Sequence, residues 1–388
     1  MRYNFDEIVD RKNTDSHRWN LVNKLWKDKD GLPLSTADMD FKSPIEIIQA
    51  IKDRADHGIF GYAFIPDSYY EAVINWVKSR HNWEIKREWL ICTSGVVFAL
   101  NTAIVTFTNP EDSILIQTPV YPPFFSIIKN NNRNLIENQL IYKDGRYTID
   151  FDILEKQLSS GVKMIILCSP HNPVGRVWSY EELKTVGELC IKYNVLMVSD
   201  EIHSDIVYSK IKHTPLSSIS EEIANNSITC ISPTKTFNIP GVGISTAIIP
   251  NKKLRDEYNK TLIKMAANGT HNIFSILASE IAYRHGAEWL DQLLPYLESN
   301  ANLMEMYIRE NIPAIKFSKP EGTYLGWLDC RQLGIEHENL RDYFVLRAKV
   351  ELQDGRLFGS NGLGFLRFNF ATPRSVVKEA LERIKASL

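Results

Sequence analysis

Residues 195–203 read Val195-Leu196-Met197-Val198-Ser199-Asp200-Glu201-Ile202-His203. An apolar run this short, closed by a serine, two carboxylates and a histidine, predicts a buried strand with polar groups gathered at its carboxyl end. The same texture repeats on either side. Upstream, Met164-Ile165-Ile166-Leu167-Cys168 ends in Ser169-Pro170-His171-Asn172-Pro173, and downstream Ile228-Thr229-Cys230-Ile231 ends in Ser232-Pro233-Thr234-Lys235. Trp89-Leu90-Ile91-Cys92 runs into Thr93-Ser94-Gly95, and Ser113-Ile114-Leu115-Ile116 and Thr246-Ala247-Ile248-Ile249 complete the series. Helical patterns over 96–106, 122–130 and 180–193 separate these runs, so they predict buried parallel strands of an α/β sheet.

Outside that series the texture differs. The stretch to about residue 35 is polar and reads as irregular, with Trp19 and Trp26 as isolated anchors. A helical pattern starts at Pro44 and runs through Ile45, Ile48 and Ile51, and a second covers 69–80. Beyond about Tyr283 a long helix (288–309) is followed by alternating strands at 323–329 and 364–370 and a closing helix from Ser375, an α+β pattern. The expected partition is an N-terminal segment, 1–45, contributing to a small domain; a large domain, 46–284; and a small C-terminal domain, 285–388.

Composition narrows the class. The chain has 388 residues, 44% hydrophobic and 24% charged, with a net charge of −2 and no basic run, which makes nucleic acid a poor candidate partner. Five cysteines (Cys92, Cys168, Cys190, Cys230, Cys330) are scattered without a CxxC pair, which predicts a reducing compartment and neither a disulfide framework nor a metal site. The opening residues, Met1-Arg2-Tyr3-Asn4-Phe5-Asp6-Glu7, lack the apolar core of an export signal. Residues 89–110 carry no charge, yet Ser94, Gly95, Asn101 and several threonines fit a strand and a helix better than a membrane span. A cytoplasmic protein is expected.

In open α/β sheets, ligands bind beyond the carboxyl ends of the strands. There this sequence sets a Gly-containing turn, an Asn, an Asp, a His and a Lys. Thr93-Ser94-Gly95 before an apolar helix aims backbone N–H groups and the positive end of a helix dipole at an anion, with Ser232 available to add a hydroxyl. Alone, such a turn is more often only a turn. Asp200 closes an apolar strand, where a carboxylate must cap the next segment or pair with a cation. A crevice lysine such as Lys235 loses basicity by desolvation and attacks an aldehyde as the free amine. In isolation it reads as a surface lysine. Arg367, in Leu366-Arg367-Phe368-Asn369, has the fork that grips a carboxylate, though a strand arginine on the surface is the blander reading.

Taken in order, Asn172-Pro173-x-Gly175, Asp200-Glu201-Ile202-His203, Ser232-x-x-Lys235 and Arg367 resemble the class I/II aminotransferase superfamily of fold-type I pyridoxal 5'-phosphate (PLP) enzymes across nearly the whole chain. Ala37-Asp38-Met39-Asp40-Phe41, His171-Asn172-Pro173-Val174-Gly175-Arg176-Val177-Trp178, Asp200-Glu201-Ile202-His203-Ser204-Asp205 and Lys235-Thr236-Phe237-Asn238-Ile239-Pro240-Gly241 are most similar in wording to the MalY/PatB-like cystathionine β-lyases. The resemblance implies a large domain with a mainly parallel mixed sheet flanked by helices, plus a smaller α+β domain. It implies that Lys235 holds PLP as a Schiff base and moves the Cα proton, that Asp200 pairs with the pyridine nitrogen, and that Asn172 and His203 face the 3'-oxygen. His203 stands where related transaminases carry a tyrosine. Tyr121 would stack on the ring, and the N–H groups of Val96 and Val97, with Ser232, would hold the phosphate. Tyr62 would reach the partner subunit's phosphate in a homodimer with shared active sites, and Arg367 would bind the substrate's α-carboxylate.

Two positions depart from the pattern. Many transaminases carry a phosphate-binding arginine eight residues after the lysine, where this chain has Gly243, and Ser169 replaces a frequent asparagine. The residues alone reach PLP chemistry at Cα of an amino acid. The resemblance then favours a carbon–sulfur β-lyase of sulfur amino-acid metabolism, acting on cystathionine or similar conjugates. An aminotransferase is the alternative, and a regulatory protein with secondary lyase activity comes third. Tyr121, Tyr324 and Trp327 are candidates for the substrate pocket, although aromatic residues in such places are at least as often core.

Overall fold

The computed structural model describes residues 3–26, 30–267 and 271–388. Seven strands form the main sheet: β1 (Leu90–Thr93), β2 (Ser113–Thr118), β3 (Asn134–Gln139), β4 (Met164–Cys168), β5 (Leu196–Asp200), β6 (Ser227–Ile231) and β7 (Ser245–Ile248). Their spatial order is β1-β7-β6-β5-β4-β2-β3. The β1, β4, β6 and β7 residues are buried throughout, as expected of strands covered on both faces.

From β3 to β6 every pairing is parallel, while β7 runs antiparallel to both β6 and β1. The sheet is therefore mixed, and Thr246 to Ile248 depart from the parallel series that their apolar run predicts. The cause is the link from β6 to β7, a single helical turn (Pro233–Thr236) and a loop, which returns along the same end of the sheet. Strand β3 was not predicted because it is a polar edge, Asn-Leu-Ile-Glu-Asn-Gln, in which only Asn138 is buried. The register sets Cys168, Asp200 and Cys230 abreast on three neighbouring strands.

Four helices matter for the site. Helix α1 (His17–Leu25) corrects the reading of residues 1–35 as irregular: Ser16 caps it by accepting from the Trp19 N–H, and Trp26 closes it while donating its indole N–H to the Val345 carbonyl at 2.8 Å. Helices α2 (Ile45–Asp56) and α3 (Asp67–His81) follow the predicted patterns. Helix α4 (Val96–Phe107) and β1 account for the uncharged stretch, and among the described residues no helix is long and apolar enough to cross a membrane.

A second, antiparallel sheet contains β8 (Lys316–Phe317), β9 (Leu325–Asp329), β10 (Gln353–Asp354) and β11 (Phe365–Asn369), in the order β8-β9-β11-β10. Leu32–Pro33 pairs in parallel with Val350–Glu351, which stitches the N-terminal segment to this part of the chain. The long helix Ala287–Asn311 lays Trp289, Leu290, Leu293 and Leu297 into the core. Trp289 is fully buried, and its ring meets Phe5 and Phe237 at centroid separations of 5.8 and 6.2 Å. Because Phe237 lies two residues beyond Lys235, this cluster supports the loop that carries the lysine. Trp289→Ala is expected to cost about 3–5 kcal/mol in urea unfolding; a loss below about 1 kcal/mol would show that the cluster does not tie these segments together.

Candidate active site

The polar ends of β1, β4, β5 and β6 meet around one cavity of about 330 Å³. Of the residues expected at the site, Val96, Val97, Tyr121, Asn172, Asp200, His203, Ser232 and Lys235 line it. Arg367 joins through Asn172, whose side-chain oxygen accepts from the guanidinium at 3.1 Å. Tyr62 does not line it and is 99% exposed in the single chain. A larger cavity, about 500 Å³, lies between residues 142–145 and the end of the helix Ala287–Asn311. It gathers none of the expected residues, so size does not mark the site.

Asp200 is the most constrained group. It is 3% exposed and flanked in register by Cys168 and Cys230, whose side chains share its face of the sheet. Thiols are weak donors. Among the described residues its hydrogen-bond donor is the Ile202 N–H, at 3.1 Å. Burial pushes its carboxyl up to about 7, against the opposing pull of Ile202 and Lys235. The next carboxylate, Glu201, is spoken for: His213, Ser199 and the Leu216 N–H all bond to it, so it serves the fold.

Lys235 sits on the helical turn after β6, half-buried at the cavity wall. Its ammonium donates to the Ala37 carbonyl at 2.7 Å. Burial, reinforced by the Arg367 charge, pushes it down to about 8, while Asp38 and Asp200 pull the other way. His203 is pushed down to about 3 by burial and by the Lys235 and Arg367 cations, so it is neutral at ordinary pH. Its Nδ1 is buried and has no hydrogen-bond partner among the described residues. The ring meets Tyr324 edge-on at 5.7 Å.

At the far end, no side chain caps α4. A Cβ built on Gly95 would meet nothing within 4 Å, so the cavity is open in front of the helix N-terminus. Ser232 has a function that the sequence did not reveal. Its hydroxyl accepts from the Thr234 N–H and donates to the Ile244 carbonyl at 2.8 Å, capping the turn that carries Lys235. Gly243 is explained by Thr234, whose methyl lies 1.9 Å from where a Cβ would stand. A longer side chain at 243 would require Thr234 to move. Nothing in the structure explains Ser169, whose buried hydroxyl has no partner among the described residues.

Arg367 on β11 is 4% exposed, lies over the Phe358 ring and is pushed down to about 10 by desolvation. Its bonds go to neutral acceptors, Asn172 and the Ser35 carbonyl (2.6 Å), and its Nε has no partner among the described residues. A buried guanidinium in that state is ready for a carboxylate. Trp327 pairs with Arg367 across β9 and β11 but stacks on Phe365 and donates to the Tyr147 hydroxyl, so it belongs to the core. Three features were missed from sequence. Thr234 and Cys168 line the cavity, and the peptide from Ser35 to Met39 crosses its mouth with its carbonyls on Lys235, Arg367 and Tyr324. Single small residues and backbone acceptors leave no pattern in a sequence.

Comparison with known proteins agrees with this geometry. The profile of the aminotransferase class I and II family matches residues 29–384. The chain is 42% identical to cystathionine beta-lyase PatB of Bacillus subtilis, covering 99% of this chain and 100% of that protein. Among solved structures it is similar to PLP-containing cystalysin from Treponema denticola, with a TM-score of 0.96 at 39% identity over 100% of this chain and 99% of that one. It is also similar to a PLP-bound putative aminotransferase from Clostridium difficile, with a TM-score of 0.96 at 46% identity and full coverage of both chains. The chain belongs to the class I and II aminotransferase family.

Proposed function

We propose that this chain is a PLP-dependent carbon–sulfur β-lyase that cleaves L-cystathionine or related cysteine S-conjugates to a thiol, pyruvate and ammonia. The observation that carries the cofactor is Asp200, a carboxylate buried among apolar strands that has, among the described residues, one N–H donor and no salt-bridged cation. A protonated pyridine nitrogen supplies that cation. The rest of the cavity fits the same group: open space before the α4 N-terminus suits a phosphate, and the unpartnered His203 Nδ1 suits a ring oxygen. The choice of β-elimination rests on relatives named cystathionine beta-lyase that match 99% of the chain.

When bound, PLP supplies an aldehyde for the substrate's amine and a ring that draws off the electron pair left at Cα. The protein's part is holding, orienting and moving a proton. Asp200 holds the ring nitrogen, Asn172 and His203 the 3'-oxygen, and Tyr121 stacks on the ring. The N–H groups of Val96 and Val97 hold the phosphate; Ser232 joins them by turning its hydroxyl from Ile244. Arg367 fixes the α-carboxylate, which sets the Cα–H bond toward Lys235. Lys235, neutral in a good fraction near pH 8, takes that proton as general base, and a thiolate leaves from Cβ.

Tyr62 is exposed amid Ile59, Phe60 and Phe64, at 67, 60 and 80%. Such an apolar run supports a homodimer in which Tyr62 reaches the partner's phosphate. The five buried free thiols support work in the cytoplasm. We assign residues 46–284 to cofactor binding, with 1–45 and 285–388 forming the smaller unit above it.

With L-cystathionine and no 2-oxo acid, the purified protein should release pyruvate, ammonia and homocysteine, and Lys235→Ala should lower the rate by about a thousandfold or more. Turnover only when an amino acceptor is supplied would make it an aminotransferase instead. The lysine itself gives a pH test. A depressed ammonium is neutral, and so reactive, above its own pKa, and reductive methylation of Lys235 in cofactor-free protein should rise through a midpoint near pH 8. A midpoint near the ordinary lysine value of 10.5 would contradict the desolvated amine.

A further inference from the structure

We propose that Arg11, Arg18, Asp38 and Asp40 are positioning residues that clamp a peptide strap, Pro33–Met39, and through its carbonyls hold Lys235 and Arg367 in working geometry. On the inner side, Ser35 accepts from Arg367 at 2.6 Å, Thr36 from Asn369 at 2.6 Å, and Ala37 from both Lys235 (2.7 Å) and Tyr324 (2.9 Å). Arg18 donates to the Pro33 and Asp38 carbonyls, sharing the latter with the Asn369 amide at 2.6 Å, and Arg11 donates to that of Met39 at 3.1 Å, shared with the Asn238 amide at 3.0 Å. Leu34 accepts from the Asn369 N–H, so each carbonyl from Pro33 to Met39 is taken.

The clamp is two guanidiniums facing two carboxylates. Arg11 reaches Asp38 at 2.6 Å and Asp40 at 2.8 Å, and Arg18, with a fully buried side chain, reaches Asp40 at 3.0 Å and Asp38 at 3.5 Å. The charges cancel, which is what permits four of them under one short peptide. Trp19 on α1 adds an indole N–H to Asp40 at 3.3 Å. Any buried segment needs its carbonyls satisfied. Here, however, the groups that satisfy them include the two cations that meet the substrate, so a strap that slackens moves both. Asp38 also acts directly, since its charge favours the Lys235 ammonium.

The inference rests on the lyase reading for the roles of Lys235 and Arg367, and the two fail separately. A Lys235→Ala protein that keeps full activity sinks that reading; a normal strap variant beside a dead Lys235→Ala protein sinks only the clamp. Arg11, 20% exposed, is the mildest position to test. In the holoenzyme saturated with PLP, Arg11→Ala should lower kcat/KM about tenfold or more at 25 °C. Arg11→Lys should recover part of the loss. The near-isosteric Asp38→Asn should move the methylation midpoint of Lys235 downward by about half a pH unit. Unchanged kcat/KM in Arg11→Ala despite lower thermal stability, or an unmoved midpoint in Asp38→Asn, would overturn the proposal.

Discussion

Asp200 carries its charge at the end of a strand whose neighbours offer it almost nothing. Cys168 and Cys230 stand abreast of it, one main-chain N–H among the described residues reaches it, and burial pushes its carboxyl up to about 7. A carboxylate left so is costly, and the cost is recovered only when a cation arrives to share the site. The register of β4, β5 and β6 creates this situation, because it forces three adjacent side chains onto one face. The parallel sheet then gathers the other strand ends around the same point. Antiparallel β7 contributes differently: its return along that end of the sheet keeps the Lys235 turn and Thr234 against the cavity.

The second cation centre comes from elsewhere in the chain. Arg367 lies on the small antiparallel sheet, yet its fork reaches Asn172 at the end of β4. It is desolvated and has no salt-bridged carboxylate among the described residues, a state complementary to that of Asp200. One group lacks a cation and the other an anion, and a PLP-bound amino acid provides both. The strap between them belongs to the N-terminal segment, which pairs with Val350–Glu351 and is clamped by Arg11 and Arg18. Packing of residues 11–18 and 32–40 is thus coupled to the geometry of both centres.

Much of this was legible in the sequence. The apolar runs at 164–168, 195–198 and 228–231 form buried strands, and polar residues after each one (Asn172; Asp200 and His203; Ser232 and Lys235) line the cavity. What was not legible had physical causes. Edge strand β3 is polar, so it carries no strand signature. Helix α1 is anchored by Trp26 reaching Val345, 319 residues away in the chain. The strap acts through main-chain carbonyls, which all sequences share. The cap that Ser232 gives its own turn, and Thr234 filling the space beside Gly243, are close contacts that no motif announces. Tyr324, just before β9, packs on His203 and bonds the strap, whereas Trp327 within β9 is core.

The central claim is that Lys235 is the covalent anchor of the cofactor opposite Asp200. Borohydride reduction of the PLP-loaded protein, followed by proteolysis and mass spectrometry, tests it most directly. The account predicts a single phosphopyridoxyl group on the peptide containing Lys235, and none anywhere in the Lys235→Ala protein. An adduct on another lysine in the wild-type protein, or an undiminished adduct after Lys235→Ala, would contradict it.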